Sequence, residues 1–87
     1  MALYKYQNYL KLSKNGSFDQ SLGPSNPIPC GGIYRCTGCG TEIALEALSF
    51  FPDRAHHKHE PQHGPIEWQL VVATEATHPL PYLHGAA

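Results

Sequence analysis

The sequence predicts a small, β-rich protein, and three observations support this fold class. The chain has 87 residues, which leaves room for one domain. Short stretches rich in β-branched and aromatic residues occur at 32–36 and 66–73. The eight glycines and eight prolines divide the rest of the chain into short segments.

The composition excludes several classes of protein. Charged residues make up 15% of the chain and the formal net charge is −1, which argues against a long coiled coil and against binding nucleic acid through bulk positive charge. The length argues against a large α/β enzyme. A chain of this size buries only about 60% of the surface that its unfolded form exposes. An additional staple, either a disulfide or a metal ion, is therefore expected.

Cysteine usage and the first residues predict a cytoplasmic protein. The sequence starts without a basic region followed by a long apolar stretch, so no secretory signal is expected. The longest apolar run, residues 70–73, is far shorter than the ~20 residues needed to span a bilayer. The cysteine count of three is odd, which favours reduced thiols over a disulfide framework.

Residues 1–30 are predicted to form a flexible segment that precedes the compact module. Leu3, Tyr6 and Leu10 have helical spacing, but the region also allows a strand or no regular structure. Residues 20–32 contain three prolines and three glycines, which is typical of a linker or loop. The compact module is therefore predicted over 31–76.

Three segments of that module have strand character. Residues 32–36 form a short β-branched and aromatic stretch. Residues 41–51 fit both an alternating strand and a helical stripe, with a strand favoured. Residues 66–73 alternate most clearly and place Trp68 on the apolar side. Residues 53–65 are polar and bounded by prolines, so they are expected to form a loop, and residues 77–87 are expected to be a disordered tail.

The motif Cys36-Thr37-Gly38-Cys39-Gly40 is the most informative stretch. Two thiolates separated by two residues can bind one metal ion from one tight turn, and Gly40 can adopt the positive φ that such a turn needs. The alternatives are two ordinary reduced thiols and a redox-active pair. A redox pair usually lies at the start of a helix in a βαβ unit, which this short chain does not supply.

Histidines are the expected source of the remaining ligands. His56, His57, His59 and His63 fall within eight residues. With His56 and His59, the pattern is Cys-x2-Cys-x16-His-x2-His, which fits the two-knuckle zinc template; with His59 and His63, the intervening loop is longer. The alternative is a solvated loop. Cys30 is also a candidate, but its spacing from Cys36 matches no common site.

The predicted site is therefore one structural zinc ion held by Cys36, Cys39, His56 and His59. Because only neutral imidazole binds metal, affinity should fall below about pH 6.5. Such a four-ligand site leaves no position for water or substrate. No phosphate-binding loop or His-Glu-x-x-His helix is present, so no enzyme activity is expected.

Residues 32–43 and the later stretches Phe51-Pro52 and Trp68-Gln69-Leu70-Val71 resemble small bacterial zinc-ribbon proteins of unassigned role. The resemblance covers about residues 31–73. It implies a rubredoxin-like antiparallel β-ribbon around one zinc ion, with Cys36 and Cys39 as ligands. Those families close the site with a second Cys-x-x-Cys. No cysteine follows Cys39 here, so either histidines substitute or the ribbon holds no metal.

The function expected from these features is a structural zinc module that takes part in protein interaction or regulation. Its partner would be another protein or a second copy of the chain, and no membrane contact is expected. One alternative is binding of single-stranded nucleic acid through the N-terminal lysines and tyrosines, which are Lys5, Lys11, Lys14, Tyr4, Tyr6 and Tyr9. The other is a metal-free ribbon with a redox-sensitive thiol pair.

Overall fold

Three short strands form the framework of the part of the chain that the structure describes. The computed structural model of the chain describes residues 1–53 and 56–74. Its strands are β1 (Gly32–Cys36), β2 (Glu42–Leu45) and β3 (Trp68–Ala73). They form one antiparallel sheet in the order β2-β1-β3. The prediction of a small, β-rich, antiparallel fold is confirmed.

Outside the strands, the regular structure of the described residues consists of 3₁₀ turns. These short helices lie at Gln7–Tyr9, Gly16–Asp19 and Pro61–His63. No α-helix occurs among the described residues, and none of their helices is long and apolar enough to cross a bilayer. The N-terminal segment therefore contains short turns in place of the helix or strand considered from its sequence. The predicted disordered tail at 77–87 lies outside the described residues.

The central strand β1 pairs with both of the other strands. Tyr34 pairs with Ile43 of β2 on one side and with Leu70 of β3 on the other. Ile33 pairs with Val72, so the register with β3 shifts by one residue between Ile33 and Tyr34. Such a shift is typical of a β-bulge, in which two residues of one strand lie opposite one residue of its partner and the local twist increases.

The ambiguous segment at 41–51 adopts the favoured strand only at its start. β2 ends at Leu45, and Leu48 has a φ of 65°, which takes the chain out of extended geometry. The chain then returns to the core at Phe51, which is buried. A strand followed by a turn explains why this segment fits both periodicities.

The hydrophobic core lies on one face of the sheet. Trp68 is fully buried and its ring stacks on Phe51 with a 6.3 Å centroid separation. Phe51 also meets the ring of Tyr34 edge-on at 4.9 Å. Within residues 1–53 and 56–74, the buried apolar residues are Ile28, Cys30, Tyr34, Cys36, Phe51, Trp68 and Leu70. A core of this size is small, which agrees with the expectation of an additional staple.

The Pro- and Gly-rich stretch before β1 is irregular but closely packed. Leu22 forms an antiparallel bridge with Trp68. Ile28 is buried, and its N–H donates to the carbonyl of Ser49 at 2.8 Å. Cys30 is buried too, and its carbonyl accepts a 2.6 Å hydrogen bond from the hydroxyl of Tyr34. The compact core therefore also includes residues that precede Gly31.

Candidate metal centre

The cysteine turn begins where β1 ends. The N–H of Cys36 donates to the carbonyl of Thr41 at 2.7 Å, and the N–H of Gly40 donates to the carbonyl of Cys36 at 2.8 Å. Gly40 has a φ of 83°, a conformation that favours glycine. These bonds turn the chain into β2 and place Cys36 and Cys39 on the same side of the turn.

The histidine loop, which in the described part of the chain comprises residues 56–67, packs against the cysteine turn. At its C-terminal end, the N–H of Thr37 donates to the carbonyl of Glu67 at 2.9 Å. The 3₁₀ turn Pro61–His63 is closed by a reciprocal capping arrangement between Glu60 and His63. This short, capped turn fixes the path by which the loop returns to β3.

Gly38 allows the loop to come close. A Cβ atom at this position would collide with the carbonyl oxygen of His63 and lie 2.9 Å from Cε1 of His59. Only glycine, which has no side chain, fits between the cysteine turn and the histidine loop. The glycine therefore makes the approach of His59 to the cysteines sterically possible.

Four potential ligand atoms meet at this point. The Sγ of Cys36 lies 3.2 Å from Nε2 of His59, and the Sγ of Cys39 lies 3.3 Å from Nε2 of His57. The two Nε2 atoms are 3.0 Å apart. All four atoms lie within 4.8 Å of one another. Tetrahedral zinc with Cys2His2 ligands has ligand–ligand separations of about 3.3–3.8 Å, so the three contacts of 3.0–3.3 Å lie at or just below that range, and the widest separation in the group is at most 4.8 Å.

Hydrogen bonds on the far side of each ring hold the histidines in place. Nδ1 of His59 lies 2.8 Å from the carbonyl oxygen of Gly64, a group that can only accept. Nδ1 of His59 therefore carries the proton, which leaves the lone pair on Nε2 for a metal. Nδ1 of His57 lies 3.0 Å from Nδ1 of His56. His57 and His59 thus both present Nε2 toward the sulfurs.

The surroundings favour the charged forms of Cys39 and His59. The hydroxyl of Thr41 lies 3.1 Å from the Sγ of Cys39, and this hydrogen bond is the main reason that the pKa of Cys39 falls to about 6. The pKa of His59 is raised, mainly because the carbonyl of Gly64 accepts its proton and also because of the nearby Cys39. The Cys39 thiolate is therefore stabilised for binding a cation, whereas a charged His59 must release its Nε2 proton before that nitrogen can bind one.

The structure brings together three of the four predicted site residues, Cys36, Cys39 and His59, with His57 as the fourth member. His56 is exposed and lies outside this group, because its Nδ1 faces His57 while its ring packs edge-on against Trp68 at 5.9 Å. His57 was among the four candidate histidines. Its spacing to His59, with one residue between, matches no template that would have singled it out.

Two other candidates also lie outside the group of four. Nδ1 of His63 accepts the N–H of Glu60 at 3.0 Å, so this histidine closes the 3₁₀ turn. Cys30 belongs to the core, where its Sγ lies 3.7 Å from the hydroxyl of Tyr34. Burial raises the pKa of the Cys30 thiol, as expected for a structural cysteine.

Comparison with known proteins finds a relative in Escherichia coli. No protein-family model matches the chain, and no solved structure matches it. Protein L of Escherichia coli is 46% identical over 80 residues, which cover 86% of this chain and 90% of that protein. The chain belongs to the family of Protein L. This relative is bacterial and similarly small, and the name Protein L describes neither a ligand nor an activity.

Proposed function

We propose that the chain is a structural zinc-binding module that acts in protein interaction or regulation. The observation that carries the proposal is the convergence of four ligand atoms, from Cys36, Cys39, His57 and His59, within 4.8 Å. Two thiolates and two imidazoles are a ligand set typical of tetrahedral zinc. Harder cations such as Mg²⁺ and Ca²⁺ prefer oxygen ligands, which this group lacks.

A structural role fits the donor set better than a catalytic one. Catalytic zinc usually has three protein ligands and keeps a fourth position for water or substrate. Here four side chains would fill the tetrahedron, and Cys36 is fully buried beneath it. The proposal therefore includes no enzymatic activity.

In this fold, such an ion would attach the histidine loop to the sheet. Between Pro52 and Glu67 the described residues contribute no side chain to the hydrophobic core cluster except the partly buried Ile66. Binding of His57 and His59 to the metal would anchor this loop on the sheet. In small domains of this kind, the free energy of metal binding contributes directly to folding.

Exposed apolar residues support a role in interaction. Leu3 and Leu48 are each 94% exposed, and Phe50 is 65% exposed. The N-terminal segment adds further exposed residues of this type, which are Met1, Tyr4, Tyr6, Tyr9, Leu10 and Leu12. Exposed apolar surface on this scale is typical of proteins that contact a partner, here another protein or a second copy of the chain.

Native mass spectrometry of the purified chain, with and without a chelator, tests the proposal. We expect one zinc ion per chain, which the chelator removes. Thermal unfolding of the chelator-treated chain should then show no cooperative transition. The same measurement reports whether the chain self-associates. A folded chain without metal, in which Cys36 and Cys39 react as a free or disulfide-forming pair, would contradict the proposal and favour a redox-sensitive, metal-free ribbon.

A second candidate function is binding of single-stranded nucleic acid. The specific observation is the exposed N-terminal segment, in which Nζ of Lys5 lies 5.4 Å from the centre of the Tyr6 ring and Tyr9 is 79% exposed. Residues 1–14 contain three lysines and no acidic residue. Lysines can contact phosphates while tyrosines stack on unpaired bases.

Titration of a fluorescent single-stranded oligonucleotide at several salt concentrations tests this second function. Binding should weaken steeply as salt increases and should be lost when Tyr4, Tyr6 and Tyr9 are replaced by alanine. A variant with Leu48→Ala, which changes an exposed apolar residue outside the segment, is the matched control. Absence of binding at low salt would exclude the second function.

A further inference from the structure

The two ring nitrogens of His57 have different surroundings. Nε2 lies 3.3 Å from the Sγ of Cys39, within the group of four ligand atoms. Nδ1 lies 3.0 Å from Nδ1 of His56. When Nε2 binds a metal, the neutral ring must carry its proton on Nδ1, so the N–H of His57 points at the Nδ1 lone pair of His56.

We infer that His56 is a positioning residue of the metal centre, which accepts a hydrogen bond from His57 and thereby holds the ring of His57 in its ligating tautomer. This inference rests on the proposed metal binding, and it assigns His56 a role distinct from that of a ligand. Ligand histidines commonly donate their second N–H to a partner in this way, and loss of such a partner lowers metal affinity.

The other ligand histidine shows the same arrangement with a different acceptor. His59 donates from Nδ1 to the carbonyl oxygen of Gly64 at 2.8 Å. The backbone therefore orients His59, whereas a side chain orients His57. Both ligand rings have an acceptor behind Nδ1, and only the acceptor of His57 can be removed by substitution.

His56 is itself fixed from two directions. Its backbone N–H donates to the carbonyl of Asp53 at 3.1 Å, and its ring meets the buried Trp68 ring at a centroid distance of 5.9 Å. The rings of His56 and His57 meet edge to face at 5.2 Å. Because Nδ1 of His56 acts as the acceptor, its own proton must lie on Nε2. Metal binding therefore fixes the tautomers of two neighbouring histidines.

Substitution of His56 tests the inference on the full chain. Zn²⁺ affinity is measured by competition with a chelator, and Co²⁺ is used to record the ligand-field spectrum. His56→Ala should keep one metal ion and a tetrahedral Co²⁺ spectrum, with affinity reduced about 10–100-fold. His56→Asn should recover most of the lost affinity, since its side-chain oxygen can replace Nδ1 as the acceptor. Gln62→Ala is the matched control, because it changes an exposed residue of the same loop that lies outside the group of four.

A measurement on the unmodified chain covers the case in which His56→Ala fails to fold. In the ¹⁵N-labelled, Zn²⁺-loaded chain, NMR should show His57 protonated at Nδ1 and a scalar coupling from that nitrogen across the hydrogen bond to Nδ1 of His56. Equal Zn²⁺ affinity of His56→Ala and the original chain would overturn the inference, as would a deprotonated Nδ1 on His57. If the original chain binds no Zn²⁺ at all, the proposed function itself fails.

Discussion

Leu22 and Trp68 exchange two backbone hydrogen bonds, of 2.9 Å from the N–H of Leu22 and 2.7 Å from the N–H of Trp68. This pair attaches the irregular segment before β1 to the first residue of β3. The same residue of β3 packs against the rings of His56 and His57. One position therefore joins the N-terminal half of the chain, the core and the histidine loop.

Substitution of Cys36 by serine should abolish both metal binding and cooperative unfolding. Cys36 is fully buried, and its sulfur is one of the four ligand atoms. Cys30→Ser is the matched control, because it makes the same change in the core outside the site. It should keep one metal ion and a cooperative transition at a cost of about 1–3 kcal/mol. Calorimetry and metal analysis distinguish the two variants, and a cooperative, metal-free Cys36→Ser chain would contradict the prediction.

Substitution of Gly38 by alanine should weaken metal binding. The new methyl group would collide with the carbonyl of His63 and crowd His59, so the histidine loop would have to move away from the cysteines. Gly16→Ala is the control, since a Cβ at Gly16 meets nothing within 4 Å. Chelator competition should show reduced Zn²⁺ affinity for Gly38→Ala alone. Equal affinities would mean that the loop approaches the turn by another route.

Substitution of Trp68 should separate packing from hydrogen bonding. Trp68 is fully buried, and its Nε1 has no hydrogen-bond acceptor among the described residues. Trp68→Ala should cost about 3–5 kcal/mol, which is enough to unfold many domains of this size. Trp68→Phe keeps an aromatic ring and removes the unsatisfied donor, so it should cost much less. Thermal unfolding measures both losses, and equal losses would contradict the prediction.

Alkaline pH should destabilise the fold through Cys30. Burial raises the pKa of this thiol above its ordinary value of 9.0. The unfolded chain therefore releases the proton first, and the stability contributed by the neutral thiol is complete below pH 9.0 and declines as the pH rises through the higher folded value. Between pH 8 and 11, the free energy of unfolding should fall less in the Cys30→Ala variant than in the original chain. Parallel curves for both chains would refute this assignment.

Local pattern was sufficient to predict the strands and the cysteine turn. Residues 32–36 and 68–73 form strands because β-branched and aromatic side chains can cover one face of a small sheet. Cys36 and Cys39 lie on one turn because Gly40 permits the sharp change of direction. These features depend on neighbours in sequence, so a single sequence reveals them.

The choice among the histidines depends on contacts that the sequence does not display. His57 reaches the sulfurs because His56 packs on Trp68 and because Gly38 admits the loop. The sequence also gives no sign that Ile28 and Cys30 are buried. Proline and glycine indicate irregular backbone, but they do not indicate whether that backbone lies on the core or in solvent. Both outcomes are decided by tertiary packing.

The separation of the two ligand pairs along the chain has a consequence for the unfolded ensemble. Cys36 and Cys39 precede His57 and His59 by a stretch of about 20 residues, so an ion bound to all four side chains acts as a cross-link between distant segments. For a disulfide, closing a loop of about 15 residues removes chain entropy worth about 3 kcal/mol. A comparable restriction would make one metal ion matter as much to this small fold as several of its buried side chains.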